Sequence, residues 1–195
     1  MTDNALDVLL TQIRACRVCA LPHGPRPIVQ ASRSARVLII GQAPGSAVHA
    51  SGIAWDDPSG DRLREWTGLD KSVFYDPTRV AQMPTGFCYP GKGEAADLPP
   101  RPECAPLWHD RLRAELPDIA LTLLVGHHAQ ARYLPTRPKR SMTQAVRAFG
   151  EAPGNLFPLP HPSWRSTGWM RKNLWFEADV LPVLRARVAA ALAES

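Results

Sequence analysis

The chain has 195 residues, 45% hydrophobic and 21% charged, an ordinary globular composition that excludes disorder and gives enough apolar surface for a single domain over residues 1–195. No apolar run approaches the roughly twenty residues that cross a bilayer, and "MTDNALDVLL" carries an acid where a secretory signal carries a base, so a cytoplasmic, non-membrane protein is expected. The net charge of +5 and a pI near 9.3 favour a polyanionic partner without naming it.

In chain order, a first helix is expected over residues 5–15, capped by Asn4, because Leu6, Leu9, Leu10 and Ile13 recur at helical spacing. It delivers Cys16 and Cys19. Four short apolar runs read as buried parallel strands: 35–41, a stretch within 73–83, 119–126 and 155–160. Helical patterns lie between them, at Leu63, Trp66 and Leu69 after a Ser59 cap, at Leu107, Trp108, Leu112 and Leu116, and after a Ser141 cap. A last helix starts near Asp179 and takes Pro182 in its first turn. Strand alternating with helix predicts an α/β fold, a three-layer sandwich with a central four-stranded parallel sheet flanked by helices. Such sheets bind ligands beyond the carboxyl ends of their strands, and two of those ends carry "GQAPG" (41–45) and "PHPSW" (160–164).

Charge is unevenly spread. Between residues 132 and 147 stand Arg132, Arg137, Lys139, Arg140 and Arg147 without an acid. A second basic group, Arg165, Arg171 and Lys172, is interleaved with Trp164, Trp169 and Trp175, a pattern suited either to phosphates or to a solvated face over core aromatics. The four cysteines, Cys16, Cys19, Cys88 and Cys104, are spaced C-x2-C and C-x15-C. In a cytoplasmic protein that set suggests a metal site rather than disulfides, and four thiolates suit zinc and an iron-sulfur cluster equally.

Taken together, "GQAPG" after a strand, an aromatic ten residues beyond it, a late "HPS" after another strand and four cysteines in this order resemble the uracil-DNA glycosylase superfamily, particularly its iron-sulfur branches, families 4 and 5. The resemblance covers most of the chain. It implies a structural [4Fe-4S] cluster on the four cysteines, tying the N-terminal helix to the loop before residue 104, and DNA containing uracil or abasic sites as the partner of a monomer working at the nucleoid. It implies that His161 donates to uracil O2 as charge develops there and that Trp55 stacks on the flipped base. It places Ser163, Trp164 and Arg165 in the loop that presses into the minor groove. The backbone of Gly41, Gln42, Ala43, Pro44 and Gly45 can approach a base or a phosphate closely.

The chain departs from the family pattern in two places. Where family 4 carries GEAPG, with an acid that positions water, this chain has Gln42, and the GQDPY form of another branch is broken by Ala43. A carboxylate must come from elsewhere, and "WDDPSG" offers Asp56 and Asp57 near the GDxSG of family 5. One of the two is expected to cap the following helix and the other to act, Asp57 matching the family acid by its distance from Gly60, with His49 as a third polar candidate. The Asn that the family places before its third cysteine to read the base is also missing, and Gln82 is the only amide in that segment. The resulting expectation is a monofunctional glycosylase that hydrolyses the bond to uracil and leaves an abasic site. The competing expectation is a non-catalytic or product-retaining iron-sulfur DNA-binding module.

Overall fold

The computed structural model describes residues 3–135 and 140–193. Helix α1 (Asp3–Arg14) is followed by β1 (Val37–Ile40), the helices α2 (Ser46–Ser51), α3 (Pro58–Thr67) and α4 (Lys71–Phe74), and β2 (Val80–Gln82). Then come α5 (Cys104–Ala114), β3 (Leu121–Val125), α6 (His127–Tyr133), α7 (Met142–Arg147), β4 (Leu156–Leu159), α8 (Ser166–Lys172) and α9 (Leu181–Ala193).

All four expected strands are present, and they form one parallel sheet in the order β2-β1-β3-β4. Their side chains alternate between two cores. Val37 and Ile39 of β1 join Leu63 and Trp66 of α3 and Leu184 and Val188 of α9 on one face. Leu38 and Ile40 join Leu6 and Ile13 of α1 and Leu112 of α5 on the other. The result is the three-layer α/β sandwich that the sequence predicts. Because helices cover both faces, every residue of β1, β2 and β3 is buried, which is why β1 and β3 read as nearly continuous apolar runs, while β2 ends on the buried Gln82. The chain leaves β1 toward β2 on one side and later takes β3 on the other. The carboxyl ends of β1 and β3 therefore flank the point where strand order reverses, the usual ligand position in such sheets.

Element boundaries differ from expectation where capping chemistry decides them. Helix α1 already begins at Asp3, so Asn4 lies inside its first turn instead of capping it. Helix α3 is capped by Asp57, whose side chain accepts from the Gly60 amide at 2.8 Å, and Pro58 fills the first helical position, so Ser59 is inside the helix and is not its cap. Ser141 does cap α7, in a reciprocal box with Gln144. Asp179 falls in a π-helical turn (Phe176–Val180) that runs into α9, and Pro182 stands in the first turn of α9. The short helices α2, α4, α6 and α8 carry too few turns to show an apolar period in sequence. No helix among the described residues is long and apolar enough to cross a membrane.

Leu123, at the middle of β3, is fully buried. Leu123→Ala should cost about 2–5 kcal/mol of unfolding free energy through lost contacts and the cavity left behind, read as a lower urea midpoint.

Candidate functional site

A cleft of about 460 Å³ opens at the carboxyl ends of the strands, between the loops that follow β1, β2 and β4. The Gly41–Gly45 turn forms its floor. Gln42, Trp55, Asp57 and His161, which lie far apart in sequence, all line it, and Ser163, Trp164 and Arg165 form part of its rim.

Asp57 has two duties. One carboxylate oxygen holds the Gly60 amide and so starts α3, while the residue as a whole faces the cleft and lies close enough to His161 to act on its charge. Capping and site roles, expected to be split between the two neighbouring acids, thus fall on one of them. Asp56 is exposed and does not line the cleft.

Trp55 is the single non-glycine residue of the described chain with positive φ, at 59°. A bulky side chain in that region costs about 1–2 kcal/mol, so its surroundings must hold it there. Two glycines make room. A Cβ at Gly41 would stand 2.7 Å from the indole, and one at Gly60 would stand 1.8 Å from the Trp55 carbonyl oxygen. The indole therefore lies directly on the floor of the cleft, with its centre 5.9 Å from that of the His161 ring.

His161 follows β4 and is packed beside Gly126, the residue between β3 and α6. Burial pushes its imidazole below the ordinary value, against the pull of the Asp57 carboxylate, and nearby His128 lowers it further. At neutral pH the ring is uncharged and keeps one N–H to donate.

The opposite wall was not legible in the sequence. Residues 91–98 fold into a small hairpin, with the Leu98 amide donating to the Gly91 carbonyl, the Gly93 amide to the Ala96 carbonyl and an antiparallel bridge between Lys92 and Asp97. Lys92, Asp97 and Leu98 face the cleft. The stretch "GKGEAADLPP" has no alternating apolar pattern, and its only signal was its position between two cysteines. The Arg165 guanidinium bonds the Ala95 carbonyl of this hairpin and lies over the Trp164 ring at 5.4 Å. Arg62 of α3 donates to the Ser163 carbonyl at 2.6 Å and braces the same loop.

Several expected roles do not match the geometry. Gln82 is wholly buried in β2, its side-chain amide donates to the Phe74 carbonyl at 2.8 Å, and it does not line the cleft, so it is not placed to read a base there. His49 sits on α2 outside the cleft, its ring centre 6.1 Å from His23 and 5.8 Å from Tyr89. Trp169 and Trp175 pack against the core, whereas Trp164 is 76% exposed. Of the first basic group, Arg140 pairs with Glu151 and Arg147 lies over Trp175, while Arg137 and Lys139 fall outside the described residues.

A second pocket is lined by Cys16, Cys19, Cys88 and Cys104, none of them in a disulfide. They come from the end of α1, the loop after β2 and the start of α5, and α1 packs on α5. N–H groups point at three of the sulfurs: the Phe87 amide at Cys104, 3.3 Å away, the Arg26 amide at Cys88 and the Arg101 guanidinium at Cys19. Burial pushes the Cys88 thiol up to about 11 and that of Cys104 up to about 12. Among the described residues no three His, Cys, Asp or Glu side chains stand close enough to hold one metal ion.

A three-layer α/β sandwich with a carboxylate, an uncharged imidazole and an indole gathered in a cleft at its strand ends has the architecture of folds that bind ligands at the switch point of the sheet. The family model of the uracil DNA glycosylase superfamily matches residues 29–185. The chain belongs to that superfamily, which makes it a DNA-acting hydrolase of the glycosylase class.

The double duty of Asp57 separates two variants. Asp57→Asn should keep the helix cap and change stability by no more than about 0.5 kcal/mol, whereas Asp57→Ala should lose about 1 kcal/mol, both read by urea unfolding. In Asp57→Asn the His161 ring should titrate lower still, because burial and His128 are then unopposed. Proton NMR of the imidazole reads this, and an upward shift would contradict the electrostatic account.

Proposed function

We propose that this protein is a monofunctional uracil-DNA glycosylase that hydrolyses the bond between uracil and deoxyribose and leaves an abasic site for base excision repair. The observation that carries the reading is the meeting of Trp55, Asp57, His161 and Gln42 in one cleft at the strand ends. In this reading the flipped uracil lies against the Trp55 indole. As the bond from C1′ to N1 breaks, its electron pair passes to the base, and the negative charge on O2 receives the N–H of neutral His161. The sugar gains positive character, which the Asp57 carboxylate offsets at close range. Water oxygen then bonds to C1′, and its proton leaves to solvent or to the departing base. Gln42 can orient that water but cannot take its proton. Among the described residues Gln42 is the one carboxamide that lines the cleft. Ser163, Trp164 and Arg165, on the exposed rim, fill the vacated stack in duplex DNA.

We further propose that Cys16, Cys19, Cys88 and Cys104 hold a [4Fe-4S] cluster. The donor set suits such a group: four thiols lining one pocket, with N–H groups aimed at three of them. When bound, the cluster joins α1, the loop after β2 and α5, so its binding energy is folding energy. The protein then acts as a monomer on chromosomal DNA in the cytoplasm.

The decisive experiment is a single-turnover assay on a uracil-containing oligonucleotide followed by alkaline cleavage. The parent should cleave at uracil, and His161→Ala should slow it by about a hundredfold or more. Asp57→Asn should slow it by roughly ten- to a thousandfold. A parent that binds the oligonucleotide without cleaving it would instead establish a product-retaining or non-catalytic module. Anaerobically purified protein should be yellow-brown, and Cys104→Ala should lose both the colour and much of the soluble yield; colourless protein with stoichiometric zinc would refute the cluster.

A further inference from the structure

We propose that Tyr75, backed by Arg64, is a positioning residue that holds Trp55 in place as the stacking platform for the extruded base. This rests on the reading of Trp55 given under the proposed function. Tyr75 follows α4 and donates its hydroxyl proton to the Trp55 carbonyl at 3.1 Å. Arg64 of α3, only 7% exposed, donates to the same hydroxyl oxygen at 2.9 Å. Its guanidinium carbon lies 5.3 Å from the centre of the Phe74 ring and 5.4 Å from that of Tyr75, and its second nitrogen is paired with Asp61. The relay therefore runs from a buried cation, through a phenol, to one backbone oxygen at the edge of the cleft.

That oxygen belongs to the residue that needs a clamp. At φ 59° Trp55 is held in a region that a bulky residue leaves unless its neighbours prevent it. Gly60 yields space to the carbonyl and Gly41 yields space to the ring, but space permits a conformation without selecting it. The Tyr75 hydroxyl supplies the directional contact. Burial holds that hydroxyl above its ordinary value, against the opposing pull of Arg64, so it stays a donor throughout the working pH range. Without it the Trp55 carbonyl is free to turn, and the indole moves off Gly41.

Stacking on the indole stabilises the flipped base before and during bond cleavage alike. Loss of alignment should therefore appear in half-saturation and not in the limiting rate. The test titrates a uracil-containing oligonucleotide with excess enzyme and fits the single-turnover rate to its half-saturating enzyme concentration and its limit. Tyr75→Phe keeps the ring and should raise half-saturation by about fivefold, the scale of one hydrogen bond, with the limiting rate within about twofold of the parent. Trp55→Gly, in which glycine adopts the positive φ freely, should raise half-saturation by roughly ten- to a hundredfold. Adding Tyr75→Phe to Trp55→Gly should bring no further loss, because Tyr75 acts through the indole.

Full additivity in the double variant would overturn the proposal, since a merely structural role would persist without Trp55. Parental half-saturation in Tyr75→Phe beside a weakened Trp55→Gly would also overturn it while sparing the stacking reading. Parental half-saturation in Trp55→Gly would remove the stacking reading itself, and the proposal with it. If Tyr75→Phe lacks a native melting transition, Arg64→Lys, which keeps the charge but not the planar fork, takes its place in the same comparison. A raised half-saturation then supports the relay, and a parental one overturns it.

Discussion

The hydrogen bond from the Gly60 amide to the Asp57 carboxylate fixes where α3 begins, and with it the geometry of the cleft. A helix start leaves amide groups without intrahelical partners, and an acid just before it both accepts one of them and suits the positive end of the helix dipole. Here the same acid stands in the cleft beside His161. Because α3 starts at this point, Gly60 falls under the Trp55 carbonyl, Arg62 reaches the Ser163 carbonyl and Arg64 reaches Tyr75. One cap thus sets the position of the carboxylate, the indole and the rim loop together. The short loop between Trp55 and α3 leaves no slack in which these could move independently.

The cysteine pocket and the cleft are linked by chain connectivity. Cys88 and Cys104 bracket the segment that contains the hairpin of residues 91–98, which forms part of the wall of the cleft. Tyr89, next to Cys88, places its hydroxyl 3.4 Å from an Asp97 oxygen, and Pro90 lines the cleft. The far end of the hairpin is held by Arg165 through the Ala95 carbonyl. A wall with so few buried residues of its own has its position set at its two roots and at that one contact. The placing of Cys88 and Cys104 therefore bears on the shape of the cleft, although no cysteine lines it.

The sequence made the sheet legible because parallel strands covered on both faces are largely apolar, which the runs at 35–41, 119–126 and 155–160 show, whereas β2 is short and ends on Gln82. The same alternation held the answer for Gln82. Val80 and Gln82 share a face of β2, and Val80 belongs to the core beneath α3 and α9, so an amide two residues on points into that core and away from the strand end. Asp57 was legible as one of two neighbouring acids, but that a single side chain could cap and face the cleft required the turn at Trp55, and nothing in its residue type announces a positive φ. Tyr75 and Arg64 gave no signal because their partner is a backbone carbonyl, which every residue possesses. Trp164 was separable from Trp169 and Trp175 only by packing, since all three are interleaved with cations in sequence and two of them turn to the core.

The state of His161 shows how such a site is prepared for charge that is not yet present. Burial disfavours the imidazolium, the Asp57 carboxylate favours it, and His128 sides with burial. The net result is a neutral ring, so the Asp57 carboxylate has no cation on the neighbouring imidazole to neutralise it. If the ring were charged at rest, it would form an ion pair with Asp57, and both groups would be spent on each other before a substrate arrived. A neutral ring leaves the carboxylate free to face developing positive charge on a sugar, while its N–H remains available to developing negative charge on a base. In the proposed mechanism the two groups would serve opposite ends of the breaking bond, because burial outweighs the pull of Asp57 and leaves the ring uncharged.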